Sequence, residues 1–225
     1  MGQGVLLHDA LNRQGACPVR FVLQHRLPAG IPYERFIAES GDCPTRPGLH
    51  DFFNGLCWLR MPRSKKRLNA LQAAALATAS GRGTRGPLRD AITVFDENGA
   101  LLEAPPELWE ALVARDWQRL FIDLRPLWRQ ARLRVFGHAL LEKLVVPRKA
   151  ITAHVWCAPA PLADLAQADA WLAEELTPRR LAVKPLTPLP LLGVPGWWAG
   201  NENFSFYDDS LVFRPARPQQ PPAPP

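Results

Sequence analysis

No stretch of the sequence offers about 18 consecutive apolar residues, so a membrane-spanning helix is not expected. The opening MGQGVLLHDALNRQGA lacks a basic stretch followed by a long apolar core, so no secretory signal is expected either. Its MGQG start misses the myristoylation pattern, because Leu6 stands where Ser or Thr is needed. The four cysteines, Cys17, Cys43, Cys57 and Cys157, form no C-x-x-C pair. That disfavours a zinc ribbon or a redox motif and fits thiols in a reducing cytoplasm. Both the phosphate-cradling G-x-x-x-x-G-K-[ST] loop and the G-x-S-x-G nucleophile elbow are missing. Acidic residues are missing from Phe52 through Arg89, where eight cations stand: Arg60, Arg63, Lys65, Lys66, Arg67, Arg82, Arg85 and Arg89.

What is present points to a globular protein. The 225 residues are enough for one large domain, and 47% apolar with 21% charged residues is ordinary for a soluble chain. The net charge of +6 suits an anionic partner, either a small molecule or nucleic acid, although an Arg-, Ala- and Pro-rich composition produces the same balance without one. Most of the eight Trp residues fall at core-type spacing.

Residues 1–47 are rich in turn formers and read as an irregular wrap, with a short helix over Tyr33–Ser40 and a short strand or helix at Val19–Gln24. A helix is expected from Leu49, with Phe52, Phe53, Leu56 and Leu59 as its apolar face and Pro62 as its end. A second runs over about Ser64–Ala79 with Ser64 as N-cap, followed by the Gly/Arg loop Ser80–Pro87. The strand formers Ile92–Phe95 before Asn98-Gly99 predict a β-hairpin over Arg89–Leu102 carrying Asp90 and Asp96. Helices are expected from Pro105-Pro106 through about Ala114, over Trp117–Trp128 with an interruption near Pro126, over Arg132–Val145 and over Leu162–Leu176, and a buried strand within Pro147–Trp156. Beyond Thr177 the Pro-broken chain should lie extended over the core, and Gln219–Pro225 should be a disordered tail. The expected architecture is α+β and α-rich: one domain over residues 1–218 with a small hairpin or short sheet.

Two helix-borne pairs could carry chemistry. His50 and Asn54, with Asp51 beside them, share one helix face; so do His138 and Glu142. If these helices face one another, the five side chains form a catalytic acid–base pocket, with hydrolysis as the reaction class. Alternatively, His50, Asp51, His138 and Glu142 could ligate a divalent metal. Lys65, Lys66, Arg89 and Lys149 would bind an anionic or phosphorylated ligand. The competing readings are a nucleic-acid-binding module built on residues 60–89 and an interaction protein whose polar groups merely satisfy one another. Gly137, beside His138, disfavours helix and allows close approach by another backbone or a ligand. Cys57 reads as core rather than nucleophile.

Two resemblances follow from particular residues. The His50-Asp51 doublet resembles that of HD-type metal phosphohydrolases, with His25 before it and Asp90, Asp96 or Asp116 after it. The doublet sits at a helix start and His25 in a Pro/Gly-rich segment, both departures from that pattern. Taken in order, LHDFFNGLCWLRMPRSKKRLNALQ, RDAITVFDENGALL, FGHALLEKL, PRKAITAH, GVPGWW and FYDDSLVFRP resemble a bacterial domain of unknown function catalogued as number 3025, over about Phe36 to Arg217. This resemblance implies a soluble bacterial protein with one domain spanning most of the chain. It assigns no activity, cofactor or catalytic residue.

Overall fold

The computed structural model describes residues 5–78, 86–158, 161–183 and 185–215. The basic loop with Arg82 and Arg85 and the tail at 219–225 lie outside the described residues. In chain order the elements are α1 (Leu7–Asn12), β1 (Arg20–Leu23), α2 (Tyr33–Ser40), β2 (Asp42–Thr45), α3 (Leu49–Arg60), α4 (Pro62–Thr78), α5 (Pro87–Asn98), β3 (Gly99–Glu103), α6 (Pro106–Ala114), β4 (Arg132–Val135), α7 (His138–Val145), β5 (Thr152–Ala158), α8 (Leu165–Glu175), α9 (Pro178–Ala182) and β6 (Thr187–Pro190). This is the expected α-rich α+β class. Among the described residues, no helix is long and apolar enough to cross a membrane.

The larger sheet has the order β4-β3-β5-β6. Its centre is the parallel pair β3 and β5, in register Leu101↔Trp156, with antiparallel β4 and β6 on the two edges. Strand β3, GALLE, shows no polar alternation because both its faces are covered. Ala100 and Leu102 enter one core with Leu108, Leu112, Phe121 and Trp128, while Leu101 enters another with Leu68, Ile92, Phe95 and Trp156. A third, smaller core joins Leu11, Phe21, Ile37, Cys43 and Trp58.

Four expectations are corrected. In residues 1–47 the expected helix Tyr33–Ser40 is α2, ended at Gly41 in the left-handed conformation that glycine tolerates, and Val19–Gln24 supplies β1. The wrap is less irregular than expected, since β1 pairs in parallel with a second strand, β2, Phe21 opposite Cys43. The segment read as a hairpin is helix α5, because Leu88, Ala91, Ile92 and Phe95 recur at helical spacing and Ala91, Ile92 and Phe95 are buried. Tertiary burial overrides the strand propensity of Ile92–Phe95. Gly99 is then required by packing, since a Cβ there would lie 2.3 Å from the Phe95 carbonyl oxygen. The helix expected over Arg132–Val145 is an edge strand, β4, followed by α7. Finally, the Pro-rich stretch after Thr177 supplies α9 and the strand β6, whose prolines are tolerated at a sheet edge.

Candidate functional site

Five helices enclose a cavity of about 330 Å³, within the range of small-molecule sites. Its lining is a set of helical stripes: Tyr33, Glu34 and Ile37 from α2; His50, Asp51, Asn54 and Trp58 from α3; Lys65, Leu68, Asn69 and Gln72 from α4; Ile92, Thr93, Asp96 and Glu97 from α5; and His138 from α7. Each set repeats at three or four residues, the spacing that stacks side chains on one helix face.

The faces are fixed by particular contacts. Helix α3 buries Asp51, Asn54, Gly55, Cys57 and Trp58, while Phe52, Phe53, Leu56 and Leu59 are only partly covered. The buried stripe is therefore rotated from the apolar face read in the sequence. Gly55 permits this, because a Cβ there would meet Leu11 Cδ1 at 2.4 Å. Helix α4 begins at Pro62, and its cap is not Ser64. Asp169 of α8 accepts from the Arg63 and Ser64 backbone N–H groups at 2.9 and 2.8 Å, and the Ser64 hydroxyl donates to the Asp169 carbonyl. A carboxylate there satisfies two donors that every helix start leaves open.

The start of α7 is pinned to the end of α5. The Phe136 and Gly137 N–H groups donate to the Gly99 carbonyl at 2.9 and 2.8 Å. Gly137 lies so close that a Cβ would fall 2.4 Å from the Glu97 oxygen and 2.5 Å from the Asn98 nitrogen. The close approach expected of Gly137 is thus made to backbone, and it sets His138 beside Asp96.

The resulting chain of groups is continuous. Lys65 Nζ donates to Asp96 Oδ1 at 2.5 Å. His138 Nδ1 lies 2.8 Å from the Asp96 carbonyl oxygen and 3.6 Å from Asp96 Oδ2. The His138 ring meets the His50 ring edge-on, with centroids 4.7 Å apart. His50 Nδ1 lies 3.0 Å from Glu142 Oε2. A carbonyl oxygen only accepts, so His138 Nδ1 carries the proton, and Glu142 asks the same of His50. With the proton on Nδ1, an imidazole in its neutral form keeps its lone pair on Nε2.

Burial, assisted by Lys65 and His50, holds His138 below its ordinary value of 6.5 despite the pull of Asp96. For Asp96, burial works upward, but Lys65 and His138 outweigh it and keep the carboxylate below its usual range. At neutral pH the core of the site is therefore an ammonium–carboxylate pair beside a neutral imidazole. Tyr33 is driven well above the usual phenol range, chiefly by burial, and stays protonated. It accepts from Asn54 Nδ2 at 3.2 Å and contacts Cys43 Sγ at 3.2 Å.

The expected residues separate into two groups. His50, His138 and Glu142 converge, and Lys65 joins them through Asp96. Asp51 also lines the cavity, but its carboxylate accepts from the Arg46 backbone N–H at 2.6 Å and from the Arg46 guanidinium at 3.0 and 3.2 Å. Asp51 thus braces the turn before α3, the helix-start role open to a first-turn carboxylate. Lys66 is exposed, and neither Arg89 nor Lys149 lines the cavity. Lys149 instead pairs with Asp209 at 3.1 Å and lies over the Phe206 ring. His25 is exposed, and the His50-Asp51 doublet splits between Glu142 and Arg46. Among the described residues, no three His, Cys, Asp or Glu side chains are grouped to hold a metal ion. Cys57 is buried, donates to the Phe136 carbonyl at 3.0 Å and is pushed up to about 12 by burial, the behaviour of a core thiol.

The sequence reading named Asp96 only as one of three candidate carboxylates within the HD-type resemblance, and it missed Tyr33, Glu34, Gln72 and Glu97. The signal for the α5 pair was the Leu88, Ala91, Ile92, Phe95 spacing, which makes Asp96 and Glu97 neighbours of a buried helical face. Tyr33 and Glu34 were assigned correctly to a helix, but nothing in their neighbours indicated the cavity.

Neither the curated proteins nor the solved structures contain a match to this chain. One family model matches residues 19–217, nearly the span over which the quoted segments carry the resemblance, and the chain belongs to that family, described as "Protein of unknown function (DUF3025)".

Proposed function

We propose that the chain is an enzyme whose active site is the five-helix cavity, with His138 and His50 moving a proton to and from a bound ligand and hydrolysis as the reaction class. The observation that carries this reading is the adjacency of two imidazoles, 4.7 Å apart, each committed through Nδ1 to an acceptor of the protein. That commitment leaves both Nε2 atoms for the ligand. His138, held neutral by burial, is the base. His138 returns that proton to the leaving group, and His50, with the Glu142 carboxylate on its Nδ1–H, presents a second Nε2 lone pair that can accept a proton from the ligand. Lys65 and Asp96 position His138 rather than react.

Two measurements test this. Nitrogen chemical shifts of the His138 ring should show the Nδ1–H tautomer at pH 7; an Nε2–H tautomer removes the base. In parallel, ester, amide and phosphoester libraries should reveal a turnover that His138→Gln lowers by about 100-fold or more, the scale of a lost general base. Turnover that survives both His138→Gln and His50→Gln sinks the reading.

The cavity itself does not favour an anion. Glu34, Asp51, Asp96 and Glu97 line it against only Arg46 and Lys65, and both cations are already paired with acids. A second reading rests on a different surface. Arg63, Lys66 and Arg67 are exposed at helical spacing on α4, Arg60 is exposed at the end of α3, and none has an acidic partner among the described residues. This ridge supports binding of a polyanion such as nucleic acid, through phosphate contacts whose affinity falls steeply with salt. Charge-neutral substitutions of Lys66 and Arg67 should flatten the salt dependence, and salt-independent binding would remove the reading.

A further inference from the structure

Resting on the reading of the cavity as an active site, we infer that its ligand is a small organic cation rich in N–H donors, an amine or a guanidinium, held by Glu34, Glu97 and Gln72. Three observations meet in one place. Gln72 is only 6% exposed, lines the cavity from α4, and its Oε1 is a buried acceptor with no hydrogen-bond partner among the described residues. A buried acceptor left unmade costs stability, so its retention fits a donor supplied from outside the protein. Glu34 and Glu97 line the same cavity from α2 and α5, and neither carboxylate is in an ion pair or side-chain hydrogen bond among the described residues. The other two cavity acids are taken, Asp51 by Arg46 and Asp96 by Lys65. The lining therefore offers a ligand two free carboxylates and one orphan carbonyl oxygen, but no free cation.

Size and neighbours agree with this class. A cavity of about 330 Å³ admits a small molecule rather than a polymer. Trp58 and Tyr33 contribute aromatic surface to the same lining, and an aromatic face attracts a cation further. The adjacent His138, kept neutral, adds no positive charge of its own beside Lys65 and a bound cation. Within the proposed reaction, the carboxylates would fix a cationic group of the substrate while the Nε2 atoms of His138 and His50 face its reacting bond.

The test uses the full chain with 1,5-diaminopentane and 4-guanidinobutylamine as cationic probes and glutarate as the size-matched anion. Binding is followed by calorimetry and by the shift in unfolding temperature, since a ligand that prefers the folded state raises it. The expected result is binding of at least one cation, no binding of glutarate, and a loss of about tenfold or more in affinity in each of Glu34→Gln, Glu97→Gln and Gln72→Met. These near-isosteric changes are each checked for an intact fold by circular dichroism. Cation binding unmoved by all three variants overturns the inference, as does binding of glutarate in place of the cations, and so does the absence of binding by either cation. The outcome separates from that of the proton-transfer reading. Failure of cation binding with His138 in the Nδ1–H tautomer discards only the ligand class. Cation binding with the Nε2–H tautomer discards only the base.

Discussion

The two sides of the molecule treat buried polar groups differently. On the side of the sheet that faces the C-terminal segment, Trp117, Phe121, Trp128, Tyr207 and Phe213 stack at centroid distances of 5.1–6.3 Å. Among the described residues, no buried side-chain nitrogen or oxygen there lacks a partner. Asn201, at 0% exposure, donates to the Leu192 and Val194 carbonyls and accepts from Arg125. Trp117 and Trp128 donate to the carbonyls of Arg214 and Leu120, and the Tyr207 hydroxyl to that of Gly193. On the helical side, charges are drawn together around a cavity and Gln72 keeps an unmatched acceptor. Close packing with complete pairing is what stability selects. A cavity with an open acceptor costs stability, and binding offsets that cost only when a ligand is present.

Four experiments sharpen or break this contrast. The largest effect is expected from Phe121→Ala, which removes the ring at the centre of the aromatic stack and should cost about 3–5 kcal/mol in denaturant unfolding. A cost under about 1 kcal/mol would mean that this side is not a packed core. Next is Gly137→Ala, whose methyl group meets α5 backbone at 2.4 Å. It should cost about 1–3 kcal/mol and, by moving His138 off Asp96, alter the His138 tautomer or proton affinity seen by NMR. An unchanged His138 signal would separate the glycine from the site.

The third experiment sets two buried amides against each other. Asn201→Leu strips partners from two carbonyls and a guanidinium, and should cost about 2 kcal/mol. Gln72→Leu removes an acceptor with no partner and should leave stability within about 0.5 kcal/mol, or raise it. Equal costs would erase the distinction between the two sides. The smallest effect is the pH dependence. Because His138 titrates below 6.5 in the folded protein, the unfolded chain takes up the proton first as the pH falls. Its contribution is complete above about pH 6.5 and is lost below that value, while Asp96 adds a loss in the same direction only below its ordinary 3.8. Relative to His138→Gln, the wild-type stability curve should therefore slope more steeply just below pH 6.5. Parallel curves would show that His138 does not titrate as placed.

The helices that carry the site were largely legible. Tyr33–Ser40, the start of α3 at Leu49, its end before Pro62, and α6 after Pro105 follow from spacing and proline punctuation. The convergence of His50 with His138 and Glu142 was legible only as a condition, that their helices face each other. Asp96 was hidden because Ile92–Phe95 has strand-forming residues and Asn98-Gly99 has turn chemistry, so local propensity pointed away from helix. The role of Asp51 was hidden because Arg46 lies outside the helix, and that of Asp169 because the helix it caps lies 105 residues away.

The sequence by itself determined the class of the fold, the helical faces on which His50, His138 and Glu142 stand, the core identity of most tryptophans, and the membership of one family. These depend on local periodicity and on ordered segments, which are properties of the chain read in one dimension. Tertiary structure decided which polar residues meet. A hydrogen bond such as Lys65–Asp96 or His50–Glu142 joins residues 31 or 92 positions apart, and its partner is chosen by packing at Gly55, Gly99 and Gly137, where the absence of a side chain lets helices close to contact. The same packing brought Gln72, Glu34 and Glu97 to one cavity from three different helices.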